Sequence, residues 1–525
     1  MTEEIEFNEQ FSRALHLLQH GTRNVFVTGK AGTGKSTLLR YFRAHTDKKI
    51  VVLAPTGVAA INVGGETIHS FFRFKPGTTP EKARRRAARR DGEVYKALDA
   101  IVIDEASMVR ADLLDCVDAF MRANGKDPSS PFGGAQLILF GDLYQLPPVV
   151  TAQERELFRT YYGGPYFFDA RVFAAAGLEY IELEKIYRQK DQGFIDILNA
   201  IRNNSVTAAQ LAALNARVGA DVESAARGAV VRLLTTNADA ADVNNEKLRA
   251  IDGRAHVYKA EISGEFSRDS YPADEELHLK AGAQVMLLNN DPDGRWVNGT
   301  MARVADIMKG PDGAEDVVHV ALPDGSLEPV EPHAWELFHF KYDAEEKKIK
   351  SETAGTFRQY PLKLAWGVTI HKSQGKTFSR VVLDLGRRAF AAGQTYVALS
   401  RCTGLEGLAL ARPVRPSDVM TDWRIVRYVT GRQYRASEEA MPLAEKVRAI
   451  ELAIASGGCL EILYLKAKDE KSRRTVRPLA VGECRFKTSK FTGMTADCLR
   501  RGERRTFRVD RILELRPAAP DTGEK

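Results

Sequence analysis

The run GKAGTGKS, Gly29 to Ser36, limits what this 525-residue chain can fold into more than any other feature. The apolar stretch NVFVTG leads into it, and STLLRYFRAH leaves it with helical periodicity. Strand, loop and helix in that register match the phosphate-cradling pattern G-x-x-x-x-G-K-[ST] in full. The glycines let backbone N–H groups wrap phosphate oxygens, and the start of the following helix adds its partial positive charge. A buried strand feeding a helix in this way predicts a parallel sheet with helices on both faces. KKIVVLAP, DAIVIDEAS and AQLILFGD read as further strands of that sheet, each ending where a turn begins. Ligands of such sheets sit at the carboxyl ends of the strands, and the polar motifs of this chain fall there.

The loop therefore points to ATP, with Gly29, Ala31, Gly32, Thr33, Gly34, Lys35, Ser36 and Thr37 as its contacts. Lys35 is expected to reach the β- and γ-phosphates and Ser36 to ligate Mg2+. Asp104 and Glu105 stand together at the end of a buried strand. Adjacent carboxylates there are costly without a cation, which magnesium carried with ATP would supply. Asp104 is assigned to the metal through its water shell, and Glu105 to positioning and activating the attacking water. GDLYQLPPV brings Asp142 and Gln145 to the same sheet edge. Gln145 suits a γ-phosphate sensor, and Pro147 and Pro148 would fix the shape of its loop.

A second α/β region begins near Leu183, with VVRLLTTN, SRVVLDLG and LEGLALAR as strand candidates. A stretch rich in Gly, Pro and Asp, from about Val257 to Arg358, interrupts it and reads as a small β-domain. The charged segment from Phe74 to Leu98 looks inserted into the first region. Its basic run, Arg84 to Arg86 with Arg89 and Arg90, reads either as a contact to duplex or fork or as a solvated helix face. The net charge of +7 suits a polyanionic partner as well as it suits ordinary solubility. Five cysteines without a CxxC pair argue against a zinc site or disulfide framework and fit a reducing compartment. The acidic start lacks an apolar signal core, and no run is long enough to span a bilayer. A cytoplasmic location without a membrane partner is the expectation.

FNEQ, GKAGTGKS, APTGVAAINVGG, TIHSFF, IDEASMV and GDLYQLPPV occur in the order found in the PIF-type helicases, RecD-like motors of superfamily one. YRQ, LLTTN, LKAGAQVMLLNND, WGVTIHKSQGKTF and QTYVALSRC continue the match. The resemblance runs from about Phe7 to Arg412. It implies two RecA-like P-loop domains, ATP-driven DNA unwinding, and translocation on single-stranded DNA from 5′ to 3′. On that reading, residues 1–185 form the first RecA-like domain, with the insertion at 74–98. Residues 186–256 and 359–432 form the second, and 257–358 an inserted small β-barrel. The resemblance further implies that Gln10 reads adenine, and that Arg188 and Arg401 reach the γ-phosphate from the second domain. Gln374 and Gly375 resemble the segment that couples nucleotide state to the grip on DNA. Thr56, Gly57 and His69 lie in segments that the family uses on single strands. Phe71 and Phe72 do too, and read either as base-stacking rings or as core residues. Asn237, Lys363, His371, Lys372 and Ser373 are further strand-binding candidates. Single-stranded and forked or structured DNA are the expected partners, and a monomer the expected state.

An amphipathic helix in EEAMPLAEKVRAIELAIASG opens a third region of short strands. Residues 438–517 resemble the WYL domain of bacterial regulators, a small β-barrel, through Tyr464, Arg474, Pro478, Arg505, Phe507, Asp510 and Arg511. The eponymous tripeptide is absent, with Thr492, Gly493 and Met494 near its place. Its arginines suit a nucleic acid or an anionic regulatory ligand, or else a charged rim on a structural barrel. Motor and tail together point to a bacterial source. Two other readings differ in kind: an ATP-dependent regulator that senses DNA without unwinding it, and a binding module with a decayed ATPase. The intact Lys35, Glu105 and Arg401 argue against the second.

Overall fold

The computed structural model describes residues 7–518 apart from 76, 86–91, 152–153, 223–228, 267, 311–314, 344, 347, 487–488 and 500–501. Of the basic run in the insertion, Arg86, Arg89 and Arg90 lie outside the described residues, while Arg84 is exposed on a short helix, Pro80–Arg85. The chain divides into two compact units, Met1–Ile201 with Thr207–Met420, and Arg202–Val206 with Thr421–Lys525.

In the first unit, six parallel strands form a sheet in the order β3-β2-β4-β5-β1-β6. They are β1 Asn24–Gly29, β2 Ile50–Ala54, β3 Glu66–Thr67, β4 Ala100–Ile103, β5 Gln136–Phe140 and β6 Leu178–Leu183. β4 and β5 are buried along their whole length, as continuous apolar runs covered on both faces require. Helices α1 (Glu9–His20) and α2 (Lys35–His45) pack Leu18, Leu38 and Phe42 against Val25, Val27 and Phe140. β3 and β6 escape the sequence reading for physical reasons. β3 has two residues, and β6 is an edge strand whose Glu179 and Glu182 break the apolar pattern.

A second parallel sheet, β18-β7-β19-β20, uses β7 Val231–Leu234, β18 Gly367–Thr369, β19 Val381–Leu383 and β20 Leu408–Leu410. Between β7 and β18 the chain makes antiparallel structure. Five strands, β14-β13-β12-β11-β17, and a ribbon, β10-β8, enclose one core with Leu279, Val285, Val304, Val320 and Leu362. Their bounds are β8 His256–Lys259, β10 Glu276–Leu279, β11 Gln284–Leu287, β12 Met301–Met308, β13 Val317–Ala321, β14 Leu327–Val330 and β17 Leu362–Leu364. β17 pairs with β11, so the antiparallel region reaches past Arg358. A long hairpin, β15 (His333–Asp343) with β16 (Lys348–Gln359), is joined by β9 (Glu261–Gly264).

The second unit is a five-stranded antiparallel sheet, β24-β23-β22-β21-β25. Its strands are β21 Cys459–Leu465, β22 Lys471–Phe486, β23 Ser489–Cys498, β24 Glu503–Arg508 and β25 Ile512–Ala518. Ile450 and Ala453, on the helix Leu443–Ser456, close its core over Ile462, Val476 and Phe507. The segment Arg202–Val206 belongs here by its contacts. Arg202 and Asp469, both buried, pair at 3.4 Å, Asn203 donates to the Asp469 carbonyl, and Gln433 donates to the Asp469 carboxylate. Among the described residues no helix is long and apolar enough to cross a membrane.

Phe71 and Phe72 are 4% and 0% exposed. They stack edge-on with each other, and with Tyr95, Phe74 and Phe120 they make an aromatic core beneath the insertion. The Tyr95 hydroxyl donates to the Phe71 carbonyl. Of the two readings of these rings, core residue holds and base-stacking is corrected: neither has a face open to solvent. Truncating Phe72 removes a fully buried ring. Phe72→Ala should destabilise the protein by about 3–5 kcal/mol, read as a lower unfolding midpoint in denaturant; a base-stacking ring would leave the midpoint in place.

Candidate nucleotide site and nucleic-acid interface

The glycine-rich loop joins β1 to α2, and Gly34 caps that helix. Lys35 folds back over the loop, its Nζ donating to the carbonyls of Gly29 (2.7 Å) and Lys30 (3.0 Å). Thr33 is buried and its hydroxyl donates to the Lys30 carbonyl. Ser36 is exposed on the first turn and Thr37 half-buried beside it. The Gln10 amide bonds Glu184 twice: its oxygen accepts from the Glu184 N–H (2.9 Å) and its nitrogen donates to the carboxylate (3.2 Å). Gly32 adopts φ +80°, and a Cβ there would come within 2.5 Å of Arg188 Cβ, so only glycine lets the loop and the YRQ segment meet.

Asp104 and Glu105 follow β4 directly. Glu105 holds the left-handed conformation, φ 51° and ψ 43°, which a non-glycine residue adopts only at a cost and which concentrates at functional sites. Burial raises the pKa of both carboxyls, and for Glu105 the neighbouring Asp104 charge raises it further. Lys35 opposes the shift in each case. Two carboxyls in want of a cation, with the Ser36 hydroxyl exposed on the first turn of α2, are a donor set that fits an Mg2+ ion arriving with phosphate.

The second sheet's side of the site reaches across to these groups. Gln374 donates through Nε2 to Glu105 Oε2 (2.8 Å) and to Gln145 Oε1 (3.0 Å). The Tyr396 hydroxyl accepts from the Ala31 N–H (3.0 Å) and lies 3.3 Å from Asp142 Oδ2, to which it donates. Gly393, at φ +75°, caps the helix Gln394–Leu399, and a Cβ there would overlap the Gln145 carbonyl. Arg188 Nη1 donates to the Ser400 carbonyl (3.2 Å). Arg401 is 1% exposed, and its hydrogen-bond partners are neutral oxygens: the Val397 and Lys376 carbonyls and the Ser400 hydroxyl. Burial lowers the pKa of both arginines, and Arg188 lowers that of Arg401 further. Two desolvated guanidiniums beside each other gain from a multivalent anion.

Away from the nucleotide edge, a cavity of about 370 Å³ opens between the first sheet's helix α3 (Gly57–Asn62) and the second sheet. Val58, Asn62, Asn237, Lys363, Lys372 and Lys376 line it. Thr56 caps α3 through its hydroxyl, Gly57 is buried, and His69 is exposed. Asn237 begins the helix Asn237–Arg249 with an exposed side chain. The exposed His371 ring stacks on Phe390, which is 59% exposed. Lys363 pairs with Asp274 at 3.2 Å. The Lys363 charge, then burial, lowers the pKa of Lys372. Ser373 is buried, as Gly57 is. It is 0% exposed and its hydroxyl donates to the Ile370 carbonyl, so it holds the turn from inside and the expectation of a DNA contact is corrected.

Sequence reasoning passed over Tyr396, Lys376 and Phe390. Tyr396 and Lys376 lie within runs already singled out, QTYVALSRC and HKSQGKTF, where the neighbouring arginine and glutamine drew the reading. Phe390 carries no sequence signal apart from its Arg387 and Arg388 neighbours.

The family profile described as PIF1-like helicase matches residues 8–211, and that of the WYL domain matches residues 445–517. The mouse ATP-dependent DNA helicase PIF1 is 35% identical over 447 residues, which is 82% of this chain. The chain spans 64% of the length of that relative. The ATP-dependent DNA helicase Pif1 of Bdellovibrio bacteriovorus is 33% identical over 434 residues, 81% of this chain and 92% of the relative. Bacteroides Pif1, 35% identical, has been solved with ADP-AlF4 and, separately, with ADP-AlF3 and single-stranded DNA. The TM-scores are 0.73 and 0.60, and each match covers 82% of this chain and 97% of that one.

Burial, and then the neighbouring Asp104 charge, disfavour the ionised form of Glu105. Glu105→Gln keeps the shape and the oxygen that accepts from Gln374. It should raise stability by about 1 kcal/mol by removing one of two crowded carboxyls, measured as a higher melting temperature without nucleotide at pH 8.

Proposed function

The chain belongs to the PIF1-like helicases, and from that premise we propose that it is an ATP-driven DNA helicase that moves along single-stranded DNA, expected 5′ to 3′, and unwinds forked or structured duplex. One observation carries the reading. Gln374, from the second sheet's side, donates to Glu105 at the edge of the first sheet, and Arg188, packed against Gly32 of the phosphate loop, donates to Ser400 next to Arg401. The lysine-lined cavity opens away from that edge, between α3 and the second sheet. The Bacteroides relative solved with ADP-AlF3 and single-stranded DNA supports both halves of the proposal.

In this scheme Gln10 reads the adenine edge. Gly29, Ala31, Gly32, Thr33, Gly34 and Thr37 shape the cradle, and Lys35 leaves the loop carbonyls for the β- and γ-phosphates. Mg2+ would be held by Ser36 and Asp104, and supplies the charge that the paired carboxyls lack. Glu105, its pKa raised, takes the proton from water as the new P–O bond forms and the bond to the leaving ADP breaks. Arg188 and Arg401 stabilise the charge on the transferred phosphoryl group, a role worth roughly 10³–10⁵ in rate in related reactions. Gln145 senses the γ-phosphate, and Gln374 reports its loss to the second sheet. Thr56, Gly57, His69, Asn237, Lys363, His371 and Lys372 hold the strand, each side gripping in turn as the cleft closes and opens.

We assign the protein to the bacterial cytoplasm as a monomer. Its five free cysteines support a reducing compartment. The WYL-like unit is a second contact for a nucleic acid or a regulatory anion. In support, Arg474 is buried beside Phe507 and Tyr464 packs on the same ring.

Lys35→Ala should abolish ATP hydrolysis and unwinding while single-strand binding survives. Paired forked substrates with 5′ or 3′ tails test activity and polarity in one assay. Turnover retained by Lys35→Ala, or no stimulation of wild-type turnover by DNA, would sink the assignment.

A further inference from the structure

The lysine-lined cavity holds a charge pattern that its own walls do not balance. Three ammonium groups, from Lys363, Lys372 and Lys376, line it, and Asp274 is the one carboxylate among the lining residues. Asp274 is spent on Lys363, at 3.2 Å. Lys376 is partly buried, and among the described residues its Nζ hydrogen-bonds to neutral atoms, Asn298 Oδ1 at 3.0 Å and Met286 Sδ at 3.2 Å. The rest of the lining is amide and apolar surface, such as Asn62, Val58 and Trp335. An aliphatic wall with a positive floor is what a single strand needs for its sugars, bases and phosphates.

Lys376 is also tied to the nucleotide edge. Its backbone carbonyl accepts from Arg401 Nη1 at 3.4 Å. Its N–H donates to the Ser373 carbonyl, closing a tight turn that holds Gln374 against Glu105 and Gln145. The side chains at 374 and 376 thus serve opposite sides of one turn, three residues long.

Resting on the helicase reading above, we propose that Lys376 is a phosphate contact for single-stranded DNA within this cavity, and that its turn links this contact to Arg401 and Glu105. A phosphodiester oxygen replaces the Asn298 and Met286 contacts with a charged partner. When it does, the backbone that Arg401 holds is loaded from the DNA side.

The charge state of this lysine makes the contact depend on proton concentration. Burial, then the Lys363 charge, pushes the Lys376 pKa down to about 8. The groups facing it are Lys363, Lys372 and Asp274. A phosphate favours the ammonium form and raises that pKa toward the ordinary lysine value of about 10.4. Binding then takes up a proton above about pH 8, and affinity falls as pH rises through that window.

The test uses the full chain and a dye-labelled oligothymidylate, with Kd read by anisotropy against salt at pH 7 and against pH from 7 to 9.5. Lys376→Met should weaken binding about tenfold at low salt and lower the slope of log K against log salt by about 0.7. It should also flatten the pH dependence above 8. Lys376→Arg should restore the salt slope yet keep the flat pH profile, because a guanidinium does not lose its proton there. A merely structural lysine would move neither readout. If wild-type protein binds the strand and both variants match it in salt slope and pH profile, this inference is overturned and the helicase reading stands. If wild-type protein fails to bind at all, the two fall together.

Discussion

The side-chain amide of Gln374 gives one nitrogen to two oxygens, Glu105 Oε2 and Gln145 Oε1, at the carboxyl edge of the first sheet. The rest of the first unit is arranged so that this can happen. Glu105 bends into left-handed backbone to present its carboxyl there, and Gly393 must lack a side chain for the second sheet to come close enough. Tyr396 uses one hydroxyl twice for the same closure, accepting from the phosphate loop and donating to Asp142. None of these is a strong interaction by itself, since a net hydrogen bond contributes about 1 kcal/mol. Contacts of that strength suit the opening and closing that the proposed ATP cycle calls for. A large apolar interface there would hold the cleft shut.

Charge gives the joint its direction. On one side of the cleft, burial and the Asp104 charge disfavour ionised Glu105; on the other, burial and the Arg188 charge do the same to Arg401. Each pair is frustrated alone; a cation would relieve the carboxyls and an anion would relieve the arginines. The cavity repeats the device with Lys363 and Lys372, whose mutual repulsion a polyanion relieves. An ion of opposite charge at either place would remove a penalty built into the fold.

How far the sequence was legible follows from the same physics. Buried parallel strands such as AIVI and QLILF announce themselves as apolar runs, and a phosphate loop needs contiguous residues, so both could be read directly. β6, with its charged edge positions, and the helix Trp423–Ala440 that precedes the tail strands had no such signature. Phe71 and Phe72 show the limit for single residues. An aromatic pair beside a strand-binding segment has the same letters whether its rings face a base or Phe120, and only packing decides. Ser373 is the same problem for a polar side chain: a hydroxyl folded back on Ile370 cannot be told from an exposed one by its neighbours in sequence.

Arg202 makes the point at the scale of domains. It ends the helix Gln192–Arg202, which begins four residues after Arg188, yet by its contacts it belongs with Asp469 and Gln433 in the other unit. A buried pair of charges is weak evidence for stability, since desolvation offsets attraction, but removing one partner leaves the other stranded at a cost of several kcal/mol. The pair therefore specifies where the segment Arg202–Val206 goes more than it strengthens the fold. The chain crosses between its two units at residues 201–202, 206–207 and 420–421 as a result. The two crossings around Arg202 come from the stretch that carries the YRQ arginine. In the proposed ATP cycle, that stretch is joined to the WYL-like unit by the chain itself.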